Sequence, residues 1–190
     1  MATNTEQGGS EQIKYPVYAL LGFMGSGKST LGRQIAAELQ RPFLDLDSLL
    51  EEKEGMSIAQ IFAQKGEAYF RKLESDMLAN TLRSAQQGSI LSVGGGAPCF
   101  HDNMKTMNEY ATTVFLDVSA KALAIRLEPN RQERPLISNL SPEGFLSWIE
   151  EKLSERRHWY AQAEVVLSGD HLTKEDLLQL IHWRESGFLR

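Results

Sequence analysis

The chain of 190 residues has the length of one compact domain, and its composition, 42% hydrophobic and 24% charged, is that of a globular protein. A net charge of −5 without a long basic run argues against nucleic-acid binding, and a single cysteine with four scattered histidines excludes disulfide frameworks and cysteine zinc clusters. No apolar stretch approaches the roughly 20 residues of a membrane span, and no secretory or transit signal is recognisable. We therefore expect a cytoplasmic protein that binds neither membranes nor nucleic acid.

A polar segment at residues 1–14 predicts a disordered tail, and strand patterns alternate with helical ones through residues 15–190. The predicted strands are 17–21, 42–47, 89–93, 112–116 and 164–167. The predicted helices are 28–39, 48–53, 57–64, 67–86, 119–128, 141–161 and one that starts at the capping box of Thr173 and Asp176. This alternation predicts a single α/β domain, a five-stranded parallel sheet between two layers of helices, with ligands bound beyond the carboxyl ends of the strands.

The segment from Gly22 to Ser29 matches G-x-x-x-x-G-K-[ST] and joins a buried strand to a helix, which is the context of a phosphate-binding loop. Gly25 and Gly27 let backbone N–H groups turn inward, and the start of the helix adds the positive end of its dipole. Lys28 is a cation for the β- and γ-phosphates, and the Ser29 hydroxyl is a hard oxygen ligand suited to Mg²⁺. The loop predicts binding of a nucleoside triphosphate.

Two further strand ends carry candidate acceptor-site residues. One carboxylate of the pair Asp45 and Asp47 can reach the water shell of a metal ion, and the other can accept a hydrogen bond from an acceptor hydroxyl and take its proton. The alternative for Asp47 is structural, as the cap of the following helix. Gly94 to Gly96 end the third strand and allow close approach of a ligand, although a flexible turn would have the same composition.

Arginines supply the remaining candidates. Arg71 and Glu74 form either an ordinary surface ion pair or a guanidinium that Glu74 holds for a substrate carboxylate. Arg131 and Arg134 lie in a polar segment at about 129–139, which predicts a mobile lid that stabilises the transferring group and excludes water, with a solvated loop as the alternative. The chain lacks the Asn-Lys-x-Asp sequence of guanine-binding proteins and the acidic pair that follows a strand in many ATPases, which favours a kinase.

In their order and spacing these motifs resemble those of the shikimate kinase family, from about residue 15 to about residue 180. The resemblance rests on the loop 22–30, the stretch 43–47, Gly66-Glu67 followed by Phe70-Arg71 and Glu74, Gly94-Gly95-Gly96, Arg134-Pro135-Leu136-Ile137, and Arg156 four residues before Tyr160. It implies a P-loop kinase fold with strand order 2-3-1-4-5 and a mobile lid. The implied reaction is ATP plus shikimate giving ADP plus 3-phosphoshikimate, on the chorismate pathway to aromatic amino acids.

The resemblance also implies residue roles. ATP is bound by Gly25, Ser26, Gly27, Lys28, Ser29, Thr30, Arg126 and Arg134, and shikimate by Asp47, Arg71, Gly94, Gly95, Gly96 and Arg156. Lys28, Asp47 and Arg134 are the catalytic residues, and Mg²⁺ is held by Ser29 and, through water, by Asp45. Arg157 is an alternative to Arg156, because the family pattern Arg-x-Pro-Leu-Tyr is replaced here by residues 156–160, and residues 168–171 match the adenine-contacting loop poorly. The expected partners are these two small molecules, bound by a monomer.

Two other functions compete with this one. Another small-molecule kinase of the same fold, gluconate or nucleotide kinase-like, would not need the pair Arg71 and Arg156, which demands a carboxylate on the acceptor. A non-catalytic nucleotide-binding module would be expected to have a damaged loop or to lack Asp47, and neither change is present.

Overall fold

The computed structural model describes residues 16–133, 137–138 and 140–188, so the predicted tail at 1–14 and Arg134 lie outside the described residues. The strands are β1 Val17–Leu21, β2 Phe43–Asp45, β3 Ile90–Ser92, β4 Ala111–Asp117 and β5 Val165–Ser168. The α-helices are α1 Lys28–Glu38, α2 Leu46–Glu54, α3 Ile58–Ser84, α4 Asn103–Tyr110, α5 Ala120–Leu127, α6 Pro142–Tyr160 and α7 Lys174–Glu185. No helix in this described part is long and apolar enough to cross a membrane.

The strands form one parallel sheet in the order β2-β3-β1-β4-β5. At the centre of the sheet, Leu20 pairs with Ser92 on β3 and with Val114 on β4. All five residues of β1 are buried, because helices cover a parallel sheet on both faces. The predicted fold class and strand order are confirmed.

Successive side chains of β1 point to opposite faces of the sheet and enter two separate apolar cores. Ala19 and Leu21 pack with residues of α2, α3 and α4 on one face, whereas Tyr18 and Leu20 pack with residues of α1 and α7 on the other. A third core joins α5 and α6 around Phe23, which follows β1 directly. The third core places α5 and α6 beside the phosphate loop, at the carboxyl end of the sheet.

Local structure departs from the sequence prediction at two places. Helix α2 begins at Leu46, two residues earlier than predicted, so Asp47 lies in its first turn and not at the end of a strand. Helix α4 was not predicted, because it has only 8 residues and only Met104 and Met107 supply a buried apolar face. The break predicted at Gly66 is confirmed, because α3 is interrupted there, where φ is +79°.

Candidate active site

The candidate residues gather at the carboxyl ends of β1, β2 and β3, which are neighbours in the sheet. The phosphate loop follows β1, Asp45 ends β2, and Gly94 to Gly96 follow β3. A β-carbon built on Gly95 would lie 3.3 Å from both the Gly22 carbonyl oxygen and the Met24 amide nitrogen. The loop after β3 therefore lies directly against the phosphate loop.

Hydrogen bonds within the phosphate loop hold its shape. Lys28 Nζ donates to the carbonyl oxygens of Gly22 and Phe23, at 2.9 Å each, and the side chain is buried. Gly27 precedes α1 in a left-handed conformation and provides no side chain to cap the helix. The Ser26 hydroxyl is fully buried and has no hydrogen-bond partner in the structure. An uncapped helix start next to an unsatisfied hydroxyl is a site prepared for an anion.

Asp45 links the phosphate loop to helix α2. Its Oδ2 accepts a hydrogen bond from Ser29 Oγ at 2.7 Å, and its Oδ1 accepts the backbone N–H groups of Asp47 and Ser48. Asp45 is therefore the cap of α2, and the alternative that gave this role to Asp47 is wrong. Ser92, at the end of β3, lies 3.0 Å from Ser29 Oγ. The sequence analysis missed Ser92, because one serine within a strand pattern carries no signal of its own.

The carboxyl group of Asp47 is directed toward the loop after β3. A β-carbon built on Gly94 would lie 2.9 Å from Asp47 Oδ1 and 3.0 Å from Glu74 Oε1, so only glycine leaves room for both. Removal of its carboxyl from water raises the pKa of Asp47, and the neighbouring charge of Asp45 adds to the effect. Burial likewise raises the pKa of Glu74, more than Arg71 lowers it.

Arg71 is held among acidic and aromatic side chains. Its Nη1 donates to Glu74 Oε2 at 2.8 Å, while Nε and Nη2 both lie 3.3 Å from Glu67 Oε1. Glu74 is only 1% exposed and Arg71 is 14% exposed, which excludes an ordinary surface ion pair. A β-carbon built on Gly96 would lie 3.0 Å from both Nη1 and Nη2. The terminal edge of the guanidinium thus faces the space that a side chain at Gly96 would fill.

Of the two adjacent arginines on α6, Arg156 points toward the site. Its Nη1 would lie 3.6 Å from a β-carbon on Gly95, whereas Arg157 is exposed and lies 3.6 Å from Asp117. Tyr160 is buried one turn later, where its hydroxyl donates to the Gly95 carbonyl oxygen, and burial raises its pKa to about 12. The hydroxyl of Tyr160 thereby ties the loop after β3 to α6.

Arg126 joins the phosphate loop to Asp170. Its Nη1 donates to the carbonyl oxygens of Gly25 and Ser26, both at 3.2 Å, and its Nη2 donates to the Asp170 carbonyl oxygen at 2.7 Å. Thr30 is exposed in the first turn of α1. Arg131, in a short 3₁₀ segment at Glu128–Glu133, lies over the ring of Phe145 at 5.3 Å and does not reach the phosphate loop in the contacts that are described.

A family model described as shikimate kinase matches residues 24–184. The chain belongs to the shikimate kinase family. Shikimate kinase of Bacteroides fragilis is 42% identical over 161 residues, which are 85% of this chain and 88% of that protein. The shikimate kinase of Sulfurihydrogenibium is 40% identical over 162 residues, 85% of this chain and 93% of the other.

Solved structures agree with the sequence comparison. The crystal structure of shikimate kinase from Bacteroides thetaiotaomicron has a TM-score of 0.80 at 36% identity, and it covers 92% of this chain and 98% of its own. Shikimate kinase from Acinetobacter baumannii in complex with shikimate has a TM-score of 0.79 at 30% identity, with 92% and 95% covered. The family and the enzyme class, a phosphotransferase, are confirmed.

Proposed function

We propose that the site transfers the γ-phosphoryl group of ATP to the 3-hydroxyl of shikimate, and that the residues named above bind the two substrates side by side. The observation that carries this proposal is the juxtaposition at Gly94 to Gly96. Gly95 lies against the phosphate loop and near Arg156, while Gly94 lies against Asp47 and Gly96 against Arg71. The proposed site for the phosphoryl donor and the proposed site for an acceptor that carries a carboxylate and a hydroxyl group therefore both border the loop from Gly94 to Gly96.

On the acceptor side, the carboxylate of shikimate would be bound between Arg71 and Arg156. The terminal edge of Arg71 carries two N–H groups, the geometry that matches a carboxylate, and the missing side chain of Gly96 lets this edge approach the loop closely. A ring hydroxyl would then bind to Asp47, across the site at Gly94. Gluconate also carries a carboxylate, so the assay described below separates the two acids.

On the donor side, the backbone of Gly25 and Gly27, together with Ser26, Lys28 and Thr30, would bind the phosphates. The buried Ser26 hydroxyl gains a partner there, and Lys28 exchanges two carbonyl contacts for the β- and γ-phosphates. Arg126 would lie beside the adenine, between the phosphate loop and the turn at Asp170. Residues 129–139 would act as the lid that brings Arg134 to the phosphates.

The oxygens around Ser29 suit Mg²⁺, which prefers hard oxygen ligands and keeps several waters. Ser29 Oγ would bind the cation directly and Asp45 through water, and Ser92 Oγ lies within hydrogen-bond distance of Ser29. No group of three or more His, Cys, Asp or Glu side chains in the described residues forms a cation site. A few protein oxygens combined with substrate phosphates are the usual arrangement for this ion, which when bound neutralises charge on the phosphates.

Asp47 would accept the proton of the 3-hydroxyl as the phosphoryl group is transferred. Its raised pKa favours this role, because a carboxylate with a higher pKa is a stronger base. We propose that residues 15–190 form a single domain. Every group assigned above belongs to one chain, so we propose that this domain works as a monomer. We also propose that the protein is cytoplasmic.

The function is tested by coupling ADP release to an NADH-consuming reaction, with Mg²⁺-ATP and one acceptor at a time. We expect turnover with shikimate and none above background with gluconate or nucleoside monophosphates. Turnover with gluconate or a nucleotide in place of shikimate would overturn the proposal. Phosphorylation at the 3-hydroxyl is checked by NMR of the product.

A further inference from the structure

Phe100 is the aromatic ring closest to Arg71 in the described structure. The Arg71 Cζ atom lies 4.0 Å from the centroid of the Phe100 ring, compared with 5.1 Å for Phe70 and 5.7 Å for Phe62. Because Arg71 is only 14% exposed, water screens this cation–π contact weakly. Phe100 therefore contacts the group that the proposed function assigns to the substrate carboxylate.

Phe100 is not placed there by the apolar core. It is half-buried, and it belongs to none of the three apolar clusters that the described residues form. Phe62 and Phe70, by contrast, pack within the first of these clusters. The contact with Arg71 is thus one that the apolar clusters do not account for, and a role in holding that arginine explains the position of the ring better than core packing does.

The backbone fixes Phe100 relative to the substrate side of Arg71. A single 3₁₀ turn, Ala97–Cys99, separates it from Gly96, and the Cys99 N–H donates to the Gly96 carbonyl oxygen at 3.0 Å. The buried side chain of Asn103 donates to the Ala97 carbonyl oxygen at 2.8 Å and anchors the turn. The ring and Gly96, which the terminal edge of the guanidinium faces, therefore belong to one rigid segment.

The other contacts of Arg71 act on different parts of the guanidinium. Glu74 takes a hydrogen bond from Nη1, and Glu67 lies on the lateral edge of Nε and Nη2. Hydrogen bonds at the edges of the guanidinium do little to prevent the group from tilting out of its plane. The Phe100 ring, which lies over Cζ, opposes this tilt directly. Phe100 thus supplies a restraint that the two glutamates lack.

We infer that Phe100 is a positioning residue for carboxylate recognition: it holds the Arg71 guanidinium in the orientation in which its terminal edge faces Gly96. This inference rests on the proposed function, in which Arg71 binds the carboxylate of shikimate. Phe100 itself is not expected to touch the reacting atoms. Its loss should therefore weaken shikimate binding and leave the phosphoryl-transfer step unchanged.

The test measures kcat and KM for both substrates in Phe100→Leu, which keeps an apolar side chain but removes the ring. We expect KM for shikimate to rise roughly fivefold to thirtyfold, the range of a desolvated cation–π contact, with kcat and KM for ATP within about twofold of wild type. Phe100→Tyr, which keeps the ring, should restore KM. Should Phe100→Leu fail to fold in a thermal melt, Phe100→Met replaces it.

A matched control is available on the same helix as Arg71. Arg83 lies 5.7 Å from the ring centroid of Tyr110, twelve residues and about 18 Å further along α3. Tyr110→Leu removes an aromatic ring from an arginine in the same way, and it should leave KM for shikimate unchanged. An equal rise in this control would assign the effect to a loss of general stability, against our inference.

A double-mutant cycle separates this inference from the function on which it rests. Arg71→Ala alone should lower kcat/KM for shikimate, and adding Phe100→Leu to it should lower it no further. If Arg71→Ala has no effect, the proposed function fails at this residue. The inference about Phe100 alone fails if Arg71→Ala lowers kcat/KM but Phe100→Leu does not. It also fails if Phe100→Leu lowers kcat/KM equally in the wild type and in the Arg71→Ala variant.

Discussion

Asp47 and Asp45 are two residues apart and have separate tasks. Both carboxylate oxygens of Asp45 accept hydrogen bonds, one from Ser29 and the other from backbone N–H groups in the first turn of α2. Asp47 projects from that turn toward Gly94. A sequence in which both aspartates could cap a helix does not reveal which one does. The cap falls to Asp45 because β2 ends there, and this leaves the carboxylate with the raised pKa to the acceptor side.

Asp47→Asn tests whether the carboxylate of Asp47 acts as a general base. The amide keeps the size of the side chain but cannot take a proton, so kcat should fall by roughly 10² to 10⁴, the usual contribution of a general base. ATP binding, measured by calorimetry, should be nearly unchanged. A collapse of ATP affinity would show that Asp47 serves the nucleotide instead.

The pH dependence of the wild-type enzyme follows from the same group. A base works only when ionised, and the pKa of Asp47 is raised by burial and by Asp45. Activity should therefore decline as the pH falls through a value above the ordinary pKa of an aspartate, and it should be retained at higher pH. An acidic limb of the kcat/KM profile at or below the ordinary range would contradict this prediction.

Arg156 and Arg157 form a matched pair for a second prediction. Only Arg156 approaches Gly95, so Arg156→Ala should raise KM for shikimate by about tenfold or more, the loss expected for a charge-assisted hydrogen bond. Arg157 is exposed beside Asp117, and Arg157→Ala should change KM by less than about twofold. The reverse order of effects would assign the carboxylate contact to Arg157.

Among the elements, the interruption of α3 at Gly66 decides how Arg71 is presented. The backbone there has φ +79° and ψ 168°, a region open almost only to glycine, and it redirects the helix one turn before Arg71. The side chains of Glu54, Lys65 and Tyr69 hydrogen-bond with one another across the break. The sequence predicted the break from glycine alone, but not the contacts that span it.

Gly66→Ala should destabilise the protein by about 1–3 kcal/mol through backbone strain, because no atom within 4 Å would obstruct the new methyl group. Gly55 is the control, since its surroundings are equally open but its φ of 66° and ψ of 20° lie in the ordinary left-handed region. Gly55→Ala should cost only about 1 kcal/mol. Urea unfolding of both variants checks the order, and equal losses would argue against strain at Gly66.

For the molecule as a whole, the end of the sheet opposite the site holds a buried polar lock. Glu185, on the last turn of α7, accepts two hydrogen bonds from Arg41 at 2.6 and 3.0 Å and one from the Tyr18 hydroxyl. These contacts join the last helix to the beginning of β1 and to the approach to β2. Arg41 and Glu185 are 13% and 15% exposed, so the lock is largely shielded from water.

Glu185→Ala should lower the free energy of unfolding by roughly 1.5–3 kcal/mol, since the Arg41 guanidinium and the Tyr18 hydroxyl would lose this shared acceptor in a shielded place. Because the lock lies far from the phosphate loop, kcat and both KM values should stay close to wild type at temperatures where the variant is folded. A selective rise in one KM without a loss of stability would mean that the lock acts on the site.

Much of this architecture could be predicted from the sequence because its signals are local. Buried strands, capping residues and the phosphate loop each occupy consecutive positions, and all five predicted strands are confirmed. The strand order, which is also confirmed, was implied only by the family resemblance. Contacts between distant segments could not be read in this way. Phe100 over Arg71, Ser92 beside Ser29 and Tyr160 on Gly95 arise only when the sheet aligns its strand ends.

Asp45 has one further consequence. Its two oxygens belong to a single rigid group, one bound to Ser29 on the nucleotide side and the other to the helix start that carries Asp47. The carboxylate cannot turn toward one side without altering its hold on the other. We therefore expect a ligand that draws Ser29 away to move Asp47, the proposed base, and by thermodynamic reciprocity an acceptor that moves Asp47 would change nucleotide affinity by the same factor.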